Sequence, residues 1–115
     1  MYEYRAKVLS VYDGDTITVL VDLGFNTFRK IKIRLYGINT PELKSKDENE
    51  RKLAKKAKLV LQNKILNKDI IIKTFKDKKG KYGRYLAEIY VNNININELM
   101  VKQGFAKPYF GGKRK

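Results

Sequence analysis

Residues 28–66 read FRKIKIRLYGINTPELKSKDENERKLAKKAKLVLQNKIL, and the hydrophobic period changes once within them. Up to Ile38, the apolar residues Phe28, Ile31, Ile33 and Leu35 interleave with Arg29, Lys30, Lys32 and Arg34. That imperfect two-residue alternation predicts a strand over Phe28 to Ile38. After Pro41 the period becomes helical: from about Asp47 to Leu66, Leu53, Ala57, Val60, Leu61 and Ile65 recur on one side and lysines cover the other. This predicts one amphipathic helix, capped by Ser45 or Asp47 and favoured by Glu48 and Glu50 near its positive end.

Upstream, two further strands are expected. Arg5 to Val11 places Ala6, Val8 and Ser10 on one face, and Asp13-Gly14-Asp15 turns the chain, with Gly14 supplying a permissive backbone. Thr16 to Leu23 follows, and Gly24-Phe25-Asn26 makes the next turn. Downstream, Ile70 to Phe75 is a β-branched run, Asp77 to Gly83 a lysine-rich turn, and Arg84 to Val91 the returning strand of a hairpin. Asn97 to Gln103 reads as a short helix closed by Gly104. Three strands, a helix, two strands and a short helix imply an α+β, mainly β fold: a five-stranded Greek-key barrel of the OB type. With 115 residues the chain has room for one core, so residues 1–115 are read as a single domain, with a basic tail at about 111–115 expected to be disordered.

Composition narrows the partners. Twenty-six Lys and Arg against twelve Asp and Glu give +14, a field that attracts polyanions, and nucleic acid fits best. With no Cys and no His, thiolate nucleophiles, imidazole bases and ordinary zinc sites are excluded, so any metal must sit on oxygen ligands, which suit hard cations. The start MetTyrGluTyrArg lacks the pattern of a signal peptide, and no apolar run reaches membrane-spanning length. A cytoplasmic location is expected, although a mature secreted fragment would read the same way. Nothing in the pattern asks for an obligate protein partner, and a monomer is expected.

In so basic a chain the placing of the few acids carries information. Asp13 and Asp15 fall in AspGlyAspThr, Glu42 in AsnThrProGlu; Arg34 lies just upstream of the second, and Arg84 follows LysTyrGly at the base of a basic turn. Taken singly, each is ordinary turn or surface chemistry. Together, AspGlyAspThr (13–16), ArgLeuTyrGlyIleAsnThrProGlu (34–42) and LysTyrGlyArgTyrLeuAla (81–87), in this order with a helix between the last two, resemble the staphylococcal nuclease (thermonuclease) family. The likeness extends to AsnGluLeuMetValLysGlnGlyPheAla (97–106), which is similar to that family's short second helix.

The resemblance implies an OB-fold endonuclease that hydrolyses DNA and RNA with Ca²⁺ and leaves 3′-phosphate ends. Carried over residue by residue, it makes Asp15 a direct Ca²⁺ ligand, the backbone carbonyl of Thr40 another, and Asp13 a water-mediated support. Glu42 becomes the general base, Arg34 and Arg84 the phosphate clamps, and Lys81 and Tyr82 contacts to the nucleotide. The chemistry suits these residue types: a carboxylate takes the proton of water, a hard cation polarises a phosphoryl oxygen, and guanidinium groups offer paired planar donors to phosphate. Lys76, Lys78, Lys79 and Lys81 on the hairpin are further candidates for backbone contact, whereas Lys52, Lys55, Lys56 and Lys58 read as a solvated helix face.

One position departs from the pattern. Where the family carries a second aspartate ligand, this chain has Asn39, which keeps an oxygen donor and loses the charge. Ca²⁺ affinity depends on ligand charge, so a weaker but working site is expected, with a shift toward Mg²⁺ or Mn²⁺ as one alternative. The other alternative is a catalytically silent OB-fold module that binds nucleic acid without cutting it.

Overall fold

The structure is a computed structural model that describes residues 2–79 and 84–109. Its elements are β1 (Tyr2–Asp13), β2 (Thr16–Asp22), β3 (Phe28–Leu35), β4 (Ile38–Asn39), α1 (Glu48–Ile65), β5 (Asp69–Lys79), β6 (Tyr85–Val91), β7 (Ile94–Asn95), α2 (Ile96–Lys102) and β8 (Lys107–Pro108). Lys81, Tyr82 and the tail at 111–115 lie outside the described residues.

Alternating apolar residues bury one face of each long strand, and the strands solve their edge problem by closing on themselves. The order β3-β2-β1-β5-β6 is antiparallel throughout, and a parallel β3–β6 pairing, Ile33 opposite Tyr85 and Leu35 opposite Ala87, completes the barrel. Inside lie Val8, Ile17, Val19, Ile33, Leu35, Ile72 and Ile89, all fully buried, with Leu61 and Ile65 of α1 and Met100 of α2 closing the ends. The five-stranded barrel with two helices is the expected mainly β architecture.

Several local expectations are corrected. In β1 the pairing with β2 slips between Val8 and Ser10, so Leu9 forms a bulge, Ser10 faces solvent and Val11 enters the core. The third strand stops at Leu35; after Tyr36, Gly37 takes φ +81°, and Ile38–Asn39 pairs separately with β8. On α1 the buried line is Ala54, Ala57, Leu61 and Ile65, while Leu53 is 57 % exposed. Within that line Ala57 lies against the turn at Gly14, where a Cβ on residue 14 would come 2.9 Å from its own, so a small side chain is needed at 57. Asp47 is the N-cap, its side chain accepting from the Asn49 N–H.

The short helix α2 starts at Ile96, one residue earlier than its pattern suggests, behind Asn95, whose side chain accepts from the Glu98 N–H. Asn97 is buried and does three jobs at the barrel's closure. Its Oδ1 accepts from the Ile89 N–H at 3.1 Å, and its Nδ2 donates to Tyr36 O at 2.9 Å and Ala87 O at 3.0 Å. A buried amide so fully satisfied fixes α2 against β6 and the end of β3. Gly104, at φ +84°, ends the helix as expected.

Candidate active site

The site forms at the end of the barrel where β1 turns into β2. Asp13 closes β1, and its Oδ1 accepts from the Asp15 N–H at 3.0 Å, a tight local bond that the Asp-Gly-Asp sequence makes possible. Gly14 is needed here for space: its φ is not left-handed, but a Cβ would lie 2.7 Å from Thr40 Cγ2 and 2.9 Å from Ala57 Cβ. The permissive backbone expected of Gly14 is therefore not its function.

Asp15 is 7 % exposed and forms the centre of the cluster. Its Oδ2 accepts from the Thr40 N–H at 3.0 Å and lies 3.5 Å from Arg34 Nη2; its Oδ1 accepts from the Thr16 hydroxyl at 3.2 Å. A buried carboxylate with a charge partner and two hydrogen bonds has its polar atoms partnered. Asp13 stands beside it. Burial first, and then the neighbouring charge of Asp15, push its carboxyl up from an ordinary 3.8 to about 6. Two carboxylates therefore lie side by side in a partly buried corner, the burial of Asp13 weighing more than the charge of its neighbour.

Arg34 comes from the outward face of β3 and turns into this corner. Nη1 donates to Ile38 O at 2.9 Å and Leu35 O at 3.2 Å, and Nη2 donates to Asn39 Oδ1. Its guanidinium also lies 5.8 Å from the Tyr109 ring centroid. Arg84, just before β6, donates from Nη1 to Thr16 Oγ1 at 3.1 Å. The two arginines, fifty residues apart in sequence, therefore meet the same Asp15–Thr16 dipeptide, one from β3 and the other from the residue preceding β6. Closure of the barrel through β3 and β6 is what brings them there.

Glu42 is exposed two residues beyond Thr40 on the loop between β4 and α1. That loop is pinned at its start by Thr40 on Asp15 and along its length by the first turn of α1. Glu50 accepts from the Glu42 N–H at 3.0 Å and from the Ser45 hydroxyl at 3.1 Å, and Arg51 donates to Ser45 O at 2.8 Å. Asp13, Asp15, Arg34, Asn39, Thr40 and Arg84 are thus gathered at one end of the barrel, with Glu42 on the adjoining loop. Thr16, Glu50, Arg51 and Tyr109 belong to the same region and were not singled out by sequence. Thr16 sat inside the AspGlyAspThr stretch, whereas Tyr109 had no signal in the chain.

A metal here would sit on oxygens alone. Among the described residues no group of three or more acidic side chains is arranged to hold one. The donors present are the carboxylates of Asp15 and Asp13, the amide oxygen of Asn39 and the backbone at Thr40. One or two carboxylates with neutral oxygens and water suit a hard cation.

Comparison with known proteins places this geometry. The family model described as "Staphylococcal nuclease homologue" matches residues 32–115. The chain is 37% identical over 128 residues to an uncharacterized protein of Methanocaldococcus jannaschii, covering 92% of this chain and 59% of that protein. It is 30% identical over 108 residues to a protein named "Thermonuclease" from Staphylococcus hyicus, covering 94% and 61%. To an "Uncharacterized endonuclease" of Haemophilus influenzae it is 33% identical over 103 residues, covering 90% and 51%. The chain spans about half to three fifths of the length of these relatives. No helix among the described residues is long and apolar enough to cross a membrane. With most of its length matched and the described motif residues gathered at one end of a closed five-stranded barrel, the chain belongs to the family of staphylococcal nuclease homologues.

Proposed function

We propose that the protein is a metal-dependent nuclease that hydrolyses phosphodiester bonds of DNA or RNA with low sequence specificity and leaves 3′-phosphate ends. The observation that carries this reading is the convergence of Arg34 on the buried Asp15 carboxylate and of Arg84 on the adjoining Thr16 hydroxyl, which brings two arginines to one dipeptide. A structural ion pair would need one arginine; phosphate recognition uses several paired donors.

In this reading Asp15, Asn39 and the carbonyl of Thr40 would hold the cation, and Asp13 would support it through water. When bound, Ca²⁺, or Mg²⁺ or Mn²⁺ in its place, supplies Lewis acidity toward a phosphoryl oxygen. Glu42 takes the proton of the attacking water; the water oxygen bonds to phosphorus, the P–O5′ bond breaks and O5′ leaves with a proton. Arg34 and Arg84 stabilise charge on the phosphate as it passes through the transition state. Lys81 and Tyr82 remain proposed nucleotide contacts on sequence grounds.

Glu42→Gln and Arg84→Ala test these roles. Each lowers turnover by about 10² to 10⁴-fold while oligonucleotide affinity changes little. A variant that kept near-normal turnover would remove its residue from the mechanism. The catalytically silent binding module is the second reading, and the observation favouring it is the neutral Asn39, whose oxygen accepts from Arg34.

A further inference from the structure

The outward face of β3 does not end at Arg34. Ile33 and Ile31 point toward the core, so Arg34, Lys32, Lys30 and Phe28 alternate onto the other face in one line. Thr16, Thr18, Leu20 and Asp22 of β2 lie beside them in register. Lys32 and Lys30 are exposed, and Phe28 is 54 % exposed. At the strand rise, Phe28 stands about 20 Å from Arg34, roughly six nucleotides at stacked spacing.

The far end of this line is unusually apolar for a surface. Leu23 and Phe28 are exposed, and Phe25 at the hairpin tip is fully exposed. Phe25 also takes φ +54°, a left-handed conformation that a bulky side chain adopts at a cost, where glycine or asparagine would be easier. Beside Phe28 an open groove of about 600 Å³ runs across the neighbouring strands, lined by Arg5, Lys7, Leu20 and Tyr90 among others. Its two acids stand opposite basic residues in the strand registers, Asp22 opposite Arg5 and Asp69 opposite Lys7.

Bases stack on aromatic rings and phosphates follow lysines, and this face offers both in line with the two arginines. We propose that the outward face of the β2–β3 hairpin is a second nucleic-acid subsite, distal to the cleavage site. A single strand engaged at Arg34 and Arg84 continues over Lys32 and Lys30, sets a base against Phe28 in the groove, and is bounded by Phe25 at the tip. The occupant is chosen by charge: three basic side chains in line on one strand, in a chain of net charge +14, face a polyanion. The inference rests on the nucleic-acid reading of the active site for its direction, and concerns binding rather than cutting.

The test is fluorescence anisotropy in chelator, with labelled oligothymidylates of 3 and 12 nucleotides, on wild type, Phe28→Ala, Phe25→Ser and Lys30→Ala/Lys32→Ala. Because these residues are exposed, thermal melts should match the wild type. Wild type is expected to bind the 12-mer at least about tenfold more tightly than the 3-mer, and each variant to lose about tenfold on the 12-mer and nothing on the 3-mer. The double lysine variant should also lower the slope of log affinity against log salt by about 1.4, at about 0.7 per phosphate contact. Twelve-mer affinities within twofold of wild type, or equal losses at both lengths, would overturn the proposal. So would loss of binding to phosphatidylserine vesicles by Phe25→Ser with 12-mer affinity unchanged, which would assign the tip to a membrane. A protein that binds with this length dependence yet never cuts would end the nuclease reading and leave the subsite standing; one that cuts while all variants bind as wild type does the reverse.

Discussion

Replacing Gly14 by alanine tests how the fold and the site depend on one another. The added Cβ would lie 2.7 Å from Thr40 Cγ2, 2.9 Å from Ala57 Cβ and 3.0 Å from Thr40 Cβ. Carbon atoms settle at about 3.5 to 4.0 Å, so each contact is too close by roughly half an ångström or more. None of the three atoms is the end of a flexible chain: Ala57 is fixed on the buried line of α1, and Thr40 is β-branched and buried. Overpacking of this kind costs about 1 to 3 kcal/mol. Relief by moving Thr40 lengthens its 3.0 Å bond to Asp15, and a hydrogen bond to a charged group contributes about 1.5 to 3 kcal/mol. A total near 3 kcal/mol lowers the melting temperature by about 12 °C at roughly 4 °C per kcal/mol for a domain of this size. Circular-dichroism melts of Gly14→Ala, Thr40→Ser and the double variant measure it. Because Thr40→Ser deletes the closest atom, the double variant should recover at least about 1 kcal/mol relative to additivity. A Tm within about 3 °C of wild type, or strictly additive effects, would refute the claim that Gly14 is there for close approach.

Other consequences are as direct. Asn97→Ala strands the buried Ile89 N–H and takes a donor from two carbonyls, and should destabilise by about 3 kcal/mol in urea unfolding; a loss below about 1 kcal/mol would mean that the amide's bonds are replaced by water. Asn39→Asp adds a ligand charge beside Asp15 and should tighten Ca²⁺ binding by calorimetry, whereas equal or weaker affinity would place residue 39 away from the cation. The carboxyl of Asp13, lifted to about 6 from 3.8 by burial and by Asp15, binds its proton more tightly in the folded state, so its contribution to stability is present below about pH 4 and lost as pH rises through about 6. Asp13→Asn keeps the acceptor for the Asp15 N–H and should therefore melt above wild type at pH 7.5 but level with it at pH 4; the same difference at both pH values would exclude charge as the cause.

The barrel was legible because the strand period and the helix period meet within one stretch, residues 28–66, and because turns with Asp-Gly and Gly-Phe-Asn separate the early strands. The registers were less legible. A bulge at Leu9 reverses the faces of Ser10 and Val11, and no residue type announces a bulge without its partner strand. Along α1 the buried line takes Ala54 and leaves Leu53 exposed, and the close approach of Ala57 to Gly14 is a tertiary distance that helical spacing does not contain. At the site, Asp13, Asp15, Arg34, Asn39, Thr40 and Arg84, the described residues singled out in the three motif stretches, do gather at one end of the barrel, since each lies at a strand end or turn there. What holds them was hidden: Asn97 locking the closure, Thr16 receiving Arg84, and Glu50 and Arg51 pinning the loop of Glu42 all act across long sequence separations or through backbone atoms.

The central claim is that this cluster of oxygens and arginines cuts phosphodiester bonds. Incubating the protein with single-stranded DNA, duplex DNA and RNA, in Ca²⁺, Mg²⁺, Mn²⁺ or chelator, and resolving the products by length and end group, measures that directly. Cleavage with a divalent cation, none in chelator, and 3′-phosphate ends are the predicted result; intact substrate under every cation, or cutting undiminished by chelator, would contradict it.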